Sequence, residues 1–323
     1  MRHNAWDQAY RDGAIFDWFA KFRRDRFPRR VRFVTRSYRY DSAYWVRIDG
    51  LTPGAPASID AVWTGKTALQ VDTQNVEAFT IRLEQLPDAP IPGVLITATI
   101  DGLPLRVKAA AVLSFIKTAM RWRAGFYTPP AKRPGAEGPI VEAVAGRQIY
   151  VYGSGGAPAA EDLEARRKLA ETAAAWSTVR RKLSLALAVK PDTAVTADDI
   201  ASADLVLFGT AETNSAIARF AGRMPLALSS AAADYGLLFI APLGKHYALV
   251  NSGLPWWAGA DEADRGGYPL APPQFRLLST FGDYILFKGS LANVVAEGRF
   301  DQNWKVPADA APKILASGTV TIH

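Results

Sequence analysis

The spacing of apolar residues changes once along the 323-residue chain, and this change constrains the fold more than any other feature. Between about residues 31 and 123, apolar and polar residues alternate with the period of half-buried β-strands. Pairs such as Asp101-Gly102 lie where tight hairpin turns are expected. The pattern predicts an immunoglobulin-like β-sandwich over residues 31–125. We expect a helical piece from about Ala110 to Arg121 to close it.

After residue 138 the strands become continuous apolar runs that alternate with helical segments, as in Ile149–Tyr152 and Leu205–Phe208. Strands that are buried on both faces and separated by helices are typical of parallel sheets. We therefore expect a doubly wound parallel α/β domain of the flavodoxin-like kind over residues 139–323, ending in a β tail. The intervening residues 126–138 are rich in proline and glycine and are predicted to form a linker.

Residues 1–30 are predicted to form a turn and then an amphipathic helix over residues 14–24. Large apolar side chains recur there at i, i+3, i+4 and i+7, namely Ile15, Trp18, Phe19 and Phe22. Exposing such a stripe to water costs about 1.5–3 kcal/mol per side chain. We therefore expect the stripe to be buried against a partner surface.

The stretch from His3 to Asp7, together with Tyr10 and residues 16–24, resembles the C-terminal end of bacterial α/β-hydrolases. The resemblance is to the group of polyhydroxybutyrate depolymerases and feruloyl esterases, which includes prolyl-oligopeptidase-type relatives. It implies that His3 is the base of a catalytic triad. Downstream motifs, such as residues 150–153 and 250–253, resemble the β and α/β modules that follow some of these catalytic domains.

Two departures from the family pattern concern the nucleophile. Met1-Arg2 stands where the family has glycines, and the chain contains no Gly-x-Ser-x-Gly elbow. Because the triad order in this fold is Ser, then Asp or Glu, then His, both other members are expected upstream of Met1.

The resemblance therefore implies the C-terminal region of a serine esterase or peptidase, inactive as this chain alone. The intact enzyme would act on a small ester or peptide substrate by acyl transfer, without a cofactor. By the same resemblance the intact protein would be periplasmic or secreted, although residues 1–30 carry no signal-peptide pattern.

A second hypothesis is a non-catalytic binding or interaction protein. Gly153-Ser154-Gly155 and Gly209-Thr210, with Asn214 shortly after, follow two of the predicted parallel strands. Ligands of doubly wound sheets bind at the carboxyl ends of strands, near helix N-termini that attract anions. Neither loop matches a phosphate- or dinucleotide-binding fingerprint, so ordinary turn and cap roles are the preferred interpretation.

Composition limits the remaining classes of site. The chain has no cysteine, which excludes disulfides and thiolate zinc sites, and it has no run of the ~18 apolar residues that span a membrane. The net charge of +7 includes an arginine run at residues 23–32, but no nucleic-acid-binding motif accompanies it, so we interpret the run as the solvated end of a helix. His246, the acidic residues 261–264 and the Trp256-Trp257 pair are interpreted as structural or solvated rather than ligand-binding, and no metal site is predicted. The oligomeric state stays open.

Overall fold

The computed structural model describes residues 5–86, 88–119, 121–128, 131–175, 187–257 and 273–323, with the backbone alone for residues 273–275. The chain forms two compact units. The described residues of the first unit come from residues 1–34, 42–49 and 58–127, and those of the second from residues 35–41, 50–57 and 128–323. Strands dominate both units. Of the helices in the described ranges, none has the length and apolar character that a membrane crossing requires.

Two five-stranded sheets form most of the first unit. Their strands are β1 (Arg30–Thr35), β2 (Ser42–Ala43), β3 (Val46–Leu51), β4 (Ala57–Trp63), β5 (Ala68–Gln74), β6 (Val76–Arg82), β7 (Leu95–Ile100), β8 (Leu103–Lys108), β9 (Val112–Thr118) and β10 (Arg121–Ala124). The strand orders are β1-β4-β5-β7-β8 and β10-β9-β6-β3-β2. Strands β5 and β7 pair in parallel, whereas β4–β5, β7–β8, β6–β9, β9–β10 and β2–β3 are antiparallel. Two short helices precede the sheets, α1 (Trp6–Ala9) and α2 (Ala14–Ala20).

Alternating burial along the strands explains the period-two pattern of the first unit. Every second residue of β4 is buried. Phe79 on β6 and Phe115 on β9 occupy paired positions, and their rings stack with centroids 5.0 Å apart. The prediction of a closing helix from Ala110 to Arg121 was wrong, since this segment contains β9 and the start of β10. Leu113 and Phe115 are both buried, and side chains two residues apart share a face in a strand but not in a helix.

A seven-stranded sheet and a two-stranded sheet form the second unit. The strands are β11 (Gln148–Tyr152), β12 (Ala188–Pro191), β13 (Asp204–Phe208), β14 (Leu226–Leu228), β15 (Tyr235–Leu243), β16 (His246–Gly253), β17 (Tyr284–Lys288), β18 (Val294–Gly298) and β19 (Val320–Ile322). The helices are α3 (Ala160–Ala175), α4 (Ala197–Ser202), α5 (Ser215–Phe220), α6 (Pro273–Leu278) and α7 (Ala311–Leu315). The order of the large sheet is β12-β11-β13-β16-β15-β17-β18, and β14 pairs with β19.

The large sheet is mixed rather than wholly parallel. Strands β12, β11, β13 and β16 are parallel neighbours, as the apolar runs predicted. Strand β15 is antiparallel to both β16 and β17, and β17 is antiparallel to β18. The physical reason lies in the two-residue connection Gly244-Lys245 between β15 and β16. Two residues can join only antiparallel neighbours, because a parallel crossover needs about a dozen residues or more.

Residues of the predicted linker at 126–138 are buried in the second unit. Lys132 is 1% exposed, and its ammonium pairs with the carboxylate of Asp283. The Glu137 carboxylate accepts hydrogen bonds from the Ser37 hydroxyl and the Tyr38 backbone N–H. The later part of this proline- and glycine-rich stretch is therefore fixed by buried polar contacts within the second unit.

Candidate functional site

The parallel strands bring the predicted loop residues together at one edge of the large sheet. Gly153 follows β11 directly, Gly209 follows β13, and Asp192 follows β12. The two glycine loops touch, since the Gly155 N–H donates to the Thr213 carbonyl at 2.9 Å. All the predicted ligand-binding residues, Gly153, Ser154, Gly155, Gly209, Thr210 and Asn214, lie in this strand-end cluster. The strand-end cluster comprises these six residues and Asp192.

Asp192 joins the two loops, and sequence reasoning missed it. Its Oδ1 accepts from the Ser154 N–H at 2.9 Å and from the Ser154 hydroxyl at 2.5 Å, and its Oδ2 accepts from the Ser215 N–H at 2.5 Å. Burial disfavours the charged carboxylate, but the hydrogen bonds from Ser154 and Ser215 outweigh it and hold the pKa of Asp192 below its ordinary value. No local sequence pattern marked Asp192, because its hydrogen-bond partners Ser154 and Ser215 are 38 and 23 residues away along the chain.

Asn214 is fully buried at the start of α5 and satisfies groups on three sides. Its Oδ1 accepts from the N–H groups of Ala216 and Ile217 at 3.0 and 3.3 Å, which caps the helix. Its Nδ2 donates to the Phe208 carbonyl at 2.9 Å and to the Val151 carbonyl at 3.4 Å. Asn214 therefore holds the ends of β11 and β13 to the first turn of α5.

Close approach of the two loops explains the glycines. A Cβ on Gly153 would lie 2.1 Å from the Thr213 carbonyl oxygen, which is far inside van der Waals contact. Gly209 has φ +118°, a region that favours glycine, and a Cβ there would lie 2.5 Å from Thr213 Oγ1. The Thr213 hydroxyl also accepts from the Thr210 N–H at 2.9 Å. Both glycines are thus required for loop packing, whether or not a ligand binds.

The cluster has few free groups with which to bind an anion or to catalyse a reaction. Asp192 and Asn214 accept the N–H groups that begin α5, so a protein carboxylate already occupies the position an external anion would take. Arg166 donates to the carbonyls of Gly153 and Gly155 at 3.2 and 3.0 Å. The Ser154 hydroxyl donates to a carboxylate rather than to an imidazole that could act as its base. In the described part of the chain, no group of three or more His, Asp or Glu residues is placed to hold a metal ion. The arrangement is that of a structural polar network.

The N-terminal segment presents a second candidate site, which we call the aromatic segment and define as residues 5–27. His3, the predicted triad base, lies outside the described residues. Helices α1 and α2 contain no buried residue. Six large side chains of the segment are between 50% and 66% exposed, namely Trp6, Tyr10, Phe16, Trp18, Phe19 and Phe22. The predicted burial of the stripe is therefore not met within the described chain.

The aromatic side chains of this segment contact mainly one another. Trp6 and Tyr10 stack with ring centroids 5.9 Å apart, and Tyr10 meets Phe16 edge to face at 5.9 Å. Trp18 lies 5.1 Å from Phe19 and 4.7 Å from Phe22, measured between centroids. Such contacts cover only part of each ring, so a broad apolar surface faces water. On monomeric proteins a surface of this kind marks an interaction site.

The arginine run has protein partners in the described structure. Arg30 donates two hydrogen bonds to the Asp60 carboxylate at 2.8 and 2.6 Å, and Arg32 Nε donates to the same carboxylate at 2.9 Å. These two residues lie on β1 rather than at the end of a helix. The acidic residues 261–264 lie outside the described residues, whereas Trp256 is 3% exposed and packs edge to face on Phe281. A structural role for Trp256 agrees with this burial.

Comparison of the chain with models of protein families, with curated protein sequences and with solved structures gave no match.

Proposed function

We propose that this chain is the C-terminal region of a serine hydrolase of the esterase or peptidase type, inactive on its own, and that its aromatic segment packs against the α/β-hydrolase catalytic domain of the same polypeptide. The two units would then be accessory modules. Alone, the chain would not hydrolyse esters or peptides, because no nucleophile elbow is present in its sequence. His3 would supply the base of the triad in the intact enzyme, as the resemblance implies.

The exposed aromatic surface of residues 6–22 carries this proposal. Covering the exposed half of six large side chains, at about 1.5–3 kcal/mol for each full burial, is worth roughly 5–9 kcal/mol. A separate partner protein would have to offset the loss of translational and rotational freedom from that gain. A domain on the same polypeptide is held at a high effective concentration and avoids most of this loss. The energetics therefore favour a covalently linked partner.

The finer features of the two units fit accessory modules. We infer that the two five-stranded sheets form an immunoglobulin-like sandwich, because buried residues alternate along β4 of one sheet and at Leu113 and Phe115 on β9 of the other. We also infer a flavodoxin-like relationship for the second unit. Its parallel strands have the order β12-β11-β13-β16, which corresponds to the 2-1-3-4 start of that fold, although the remaining strands are antiparallel.

The alternative of a ligand-binding protein that uses the strand-end cluster has less support. In that cluster Asp192 and Asn214 already satisfy the N–H groups at the start of α5. An anion placed there would have to displace a buried carboxylate.

The proposal is tested first on the coding sequence and then on the protein. The reading frame upstream of Met1 should encode a Gly-x-Ser-x-Gly elbow, and the extended protein should hydrolyse p-nitrophenyl butyrate. In the extended protein, His3→Ala should lower kcat by about a thousandfold or more, the range seen when a triad member is removed. The 323-residue chain should show no labelling by a fluorophosphonate probe. A stop codon directly upstream, or labelling of the chain alone, would refute the proposal.

Docking of the aromatic segment is tested by Phe19→Ser in the extended protein and in the 323-residue chain. We expect a loss of about 1–2 kcal/mol in the free energy of unfolding of the extended protein and less than about 0.5 kcal/mol in the shorter chain. Phe126→Ser is the matched control, because Phe126 is 85% exposed and lies outside the segment. Equal effects of Phe19→Ser on both proteins would exclude docking.

A further inference from the structure

A pocket of about 610 Å³ lies in the second unit, away from the strand-end cluster. From α4 its wall includes Ala197, Ile200 and Ala201. Arg219 of α5, Arg223 of the turn after α5 and residues 243–246 of the β15–β16 hairpin also line it. The volume is within the range of about 300–1,000 Å³ that small-molecule sites occupy.

Positive charge lines this pocket. Arg219, Arg223 and Lys245 are all exposed and all contribute to its wall. Across the described ranges, no carboxylate lies within ion-pair distance of any of the three, whereas Lys190 and Lys288 in the same unit each pair with an aspartate at 2.8 and 3.2 Å. Within those ranges the lining itself contains no acidic residue. Three cations that line one pocket without a counter-ion among the described residues favour an anion.

Backbone geometry fixes where one of these cations lies. Gly244 has φ +67° and Lys245 does not have a positive φ. This is the pattern of a two-residue type II′ hairpin turn, which requires glycine at its first position. The tight turn sets Lys245 at the tip of the β15–β16 hairpin, beside the pocket.

The neighbouring polar groups are already satisfied by the protein. His246 Nε2 lies 3.0 Å from the Ala201 carbonyl, and its Nδ1 lies 3.6 Å from an Asp204 carboxylate oxygen. That same Asp204 oxygen accepts from the Tyr247 N–H at 2.9 Å. Asp204 is 6% exposed and is engaged by His246 and Tyr247, so it does not pair with the three cations.

The remaining wall is apolar. Phe220 and Leu243 are buried at 8% and 4% exposure, and Ile200 is half-buried. The pocket thus joins a cationic side with an apolar side, which fits a ligand that carries an oxyanion on a small apolar body. A bare inorganic anion would leave the apolar side unused.

We propose that this pocket binds a small organic oxyanion, a phosphate monoester or a carboxylate, with the oxyanion held by Arg219, Arg223 and Lys245 and the apolar body lying against Ile200, Phe220 and Leu243. Arginine offers paired N–H donors that match the oxygens of phosphate and carboxylate. Lys245 adds a third, mobile positive charge.

The test is isothermal titration calorimetry of the 323-residue chain with phenyl phosphate, with benzoate and with inorganic phosphate at low salt. We expect saturable binding of phenyl phosphate or benzoate, and weaker binding of inorganic phosphate because it lacks the apolar body. The tighter of the two organic anions identifies the oxyanion. Binding should weaken as salt is added, since the charges involved are exposed.

The variant Arg219→Ala/Arg223→Ala should raise the Kd of the organic anion by at least about tenfold. The matched control is Arg106→Ala/Arg121→Ala, which removes two exposed arginines from strands of the first unit and should leave the Kd unchanged. Both variants should remain folded, because substitutions at exposed positions change stability little. Circular dichroism checks this.

Two results would overturn the proposal. One is the absence of saturable binding of either organic anion up to about 10 mM, which is about ten times the Kd of a ligand that binds at about 1 mM. The other is binding that the Arg219/Arg223 variant and the control variant change equally, because the cations of the pocket would then not be its cause.

Discussion

Replacing Lys132 by methionine should destabilise the second unit strongly, although methionine is also unbranched and is suited to a buried position. Lys132 is 1% exposed and Asp283 is 0% exposed. The lysine ammonium donates to Asp283 Oδ2 and lies over the Trp304 ring at 4.6 Å from its centroid. Methionine would fill much of the same space, so the expected loss comes from the carboxylate that is left behind.

The magnitude follows from what remains around Asp283 in the K132M variant. The Phe300 N–H still donates to it at 2.9 Å, and an Arg299 guanidinium nitrogen still lies 3.6 Å away. Removing one partner of a buried pair costs about 3–5 kcal/mol. Because part of the charge compensation survives, we expect about 3 kcal/mol, measured as the free energy of unfolding from urea titrations followed by circular dichroism.

The loss should depend on pH. Burial raises the pKa of Asp283 above its ordinary value, against the opposing influence of Lys132, Arg299 and the Phe300 N–H. Removal of Lys132 raises that pKa further. A carboxyl whose pKa is raised in the folded state contributes stability that is present at low pH and is lost as pH rises through the folded pKa. The deficit of K132M relative to the wild-type chain should therefore be smaller at about pH 5 than at about pH 8.

A double-mutant cycle separates the pair from simple packing. We expect K132M/D283N to be less destabilised than the sum of the two single variants by about 1–3 kcal/mol, because the double variant leaves neither charge buried alone. Arg167→Met is the exposed control, since Arg167 and Glu171 pair at 2.9 Å but are 52% and 44% exposed. It should cost less than about 0.5 kcal/mol. A K132M loss below about 1 kcal/mol that does not change with pH would refute the reasoning.

The strand-end cluster gives two further predictions. Gly153→Ala should lower the free energy of unfolding by about 2–3 kcal/mol in urea titrations, because its Cβ would meet the Thr213 carbonyl at 2.1 Å. Gly222→Ala, whose Cβ would meet nothing within 4 Å, should be neutral or mildly stabilising, and equal losses for both would contradict the packing argument. Asp192→Asn should cost about 1.5–3 kcal/mol at neutral pH. The pKa of Asp192 is lowered in the folded protein. The stability that this carboxylate contributes is therefore present above its pKa in the unfolded chain and is lost as pH falls through its pKa in the folded protein. Thermal melts of the variant and the wild type should converge in acid.

The strand patterns were predictable where side chains repeat a local period. The alternation in β4 and the continuous apolar run of β13 both appear in the sequence, and both match the burial in the structure. The segment from Ala110 to Arg121 was mispredicted because its period-two signal is short, with Leu113 and Phe115 as its buried positions.

The antiparallel half of the large sheet could have been predicted from connection length. Only Gly244 and Lys245 separate β15 from β16, and a connection that short excludes a parallel pair. The expectation of a doubly wound parallel sheet came instead from continuous apolar strands that alternate with helical segments. Apolar character reports burial on both faces and does not report direction.

The polar network of the strand-end cluster could not have been predicted from sequence, because its partners are distant along the chain. Asp192 meets Ser154 and Ser215, which are 38 and 23 residues away. Before the fold is known, no local pattern distinguishes a carboxylate that joins two loops from one that faces water. The signal arises only when β11, β12 and β13 end at the same edge of the sheet.

The same geometry decides how glycine at the end of a parallel strand should be interpreted. A glycine that lets backbone approach a ligand leaves N–H donors pointing at open space. At Gly153 and Gly209 the space a side chain would occupy is filled by Thr213, and the N–H groups at the start of α5 are bound by Asp192 and Asn214. The cationic pocket beside the β15–β16 hairpin has the opposite character, since Arg219, Arg223 and Lys245 border open volume without a described counter-ion. In the second unit, a ligand is therefore expected at the cationic pocket, where charges that are unpaired among the described residues border open volume. The glycine-rich loops serve mainly to hold the parallel strands together.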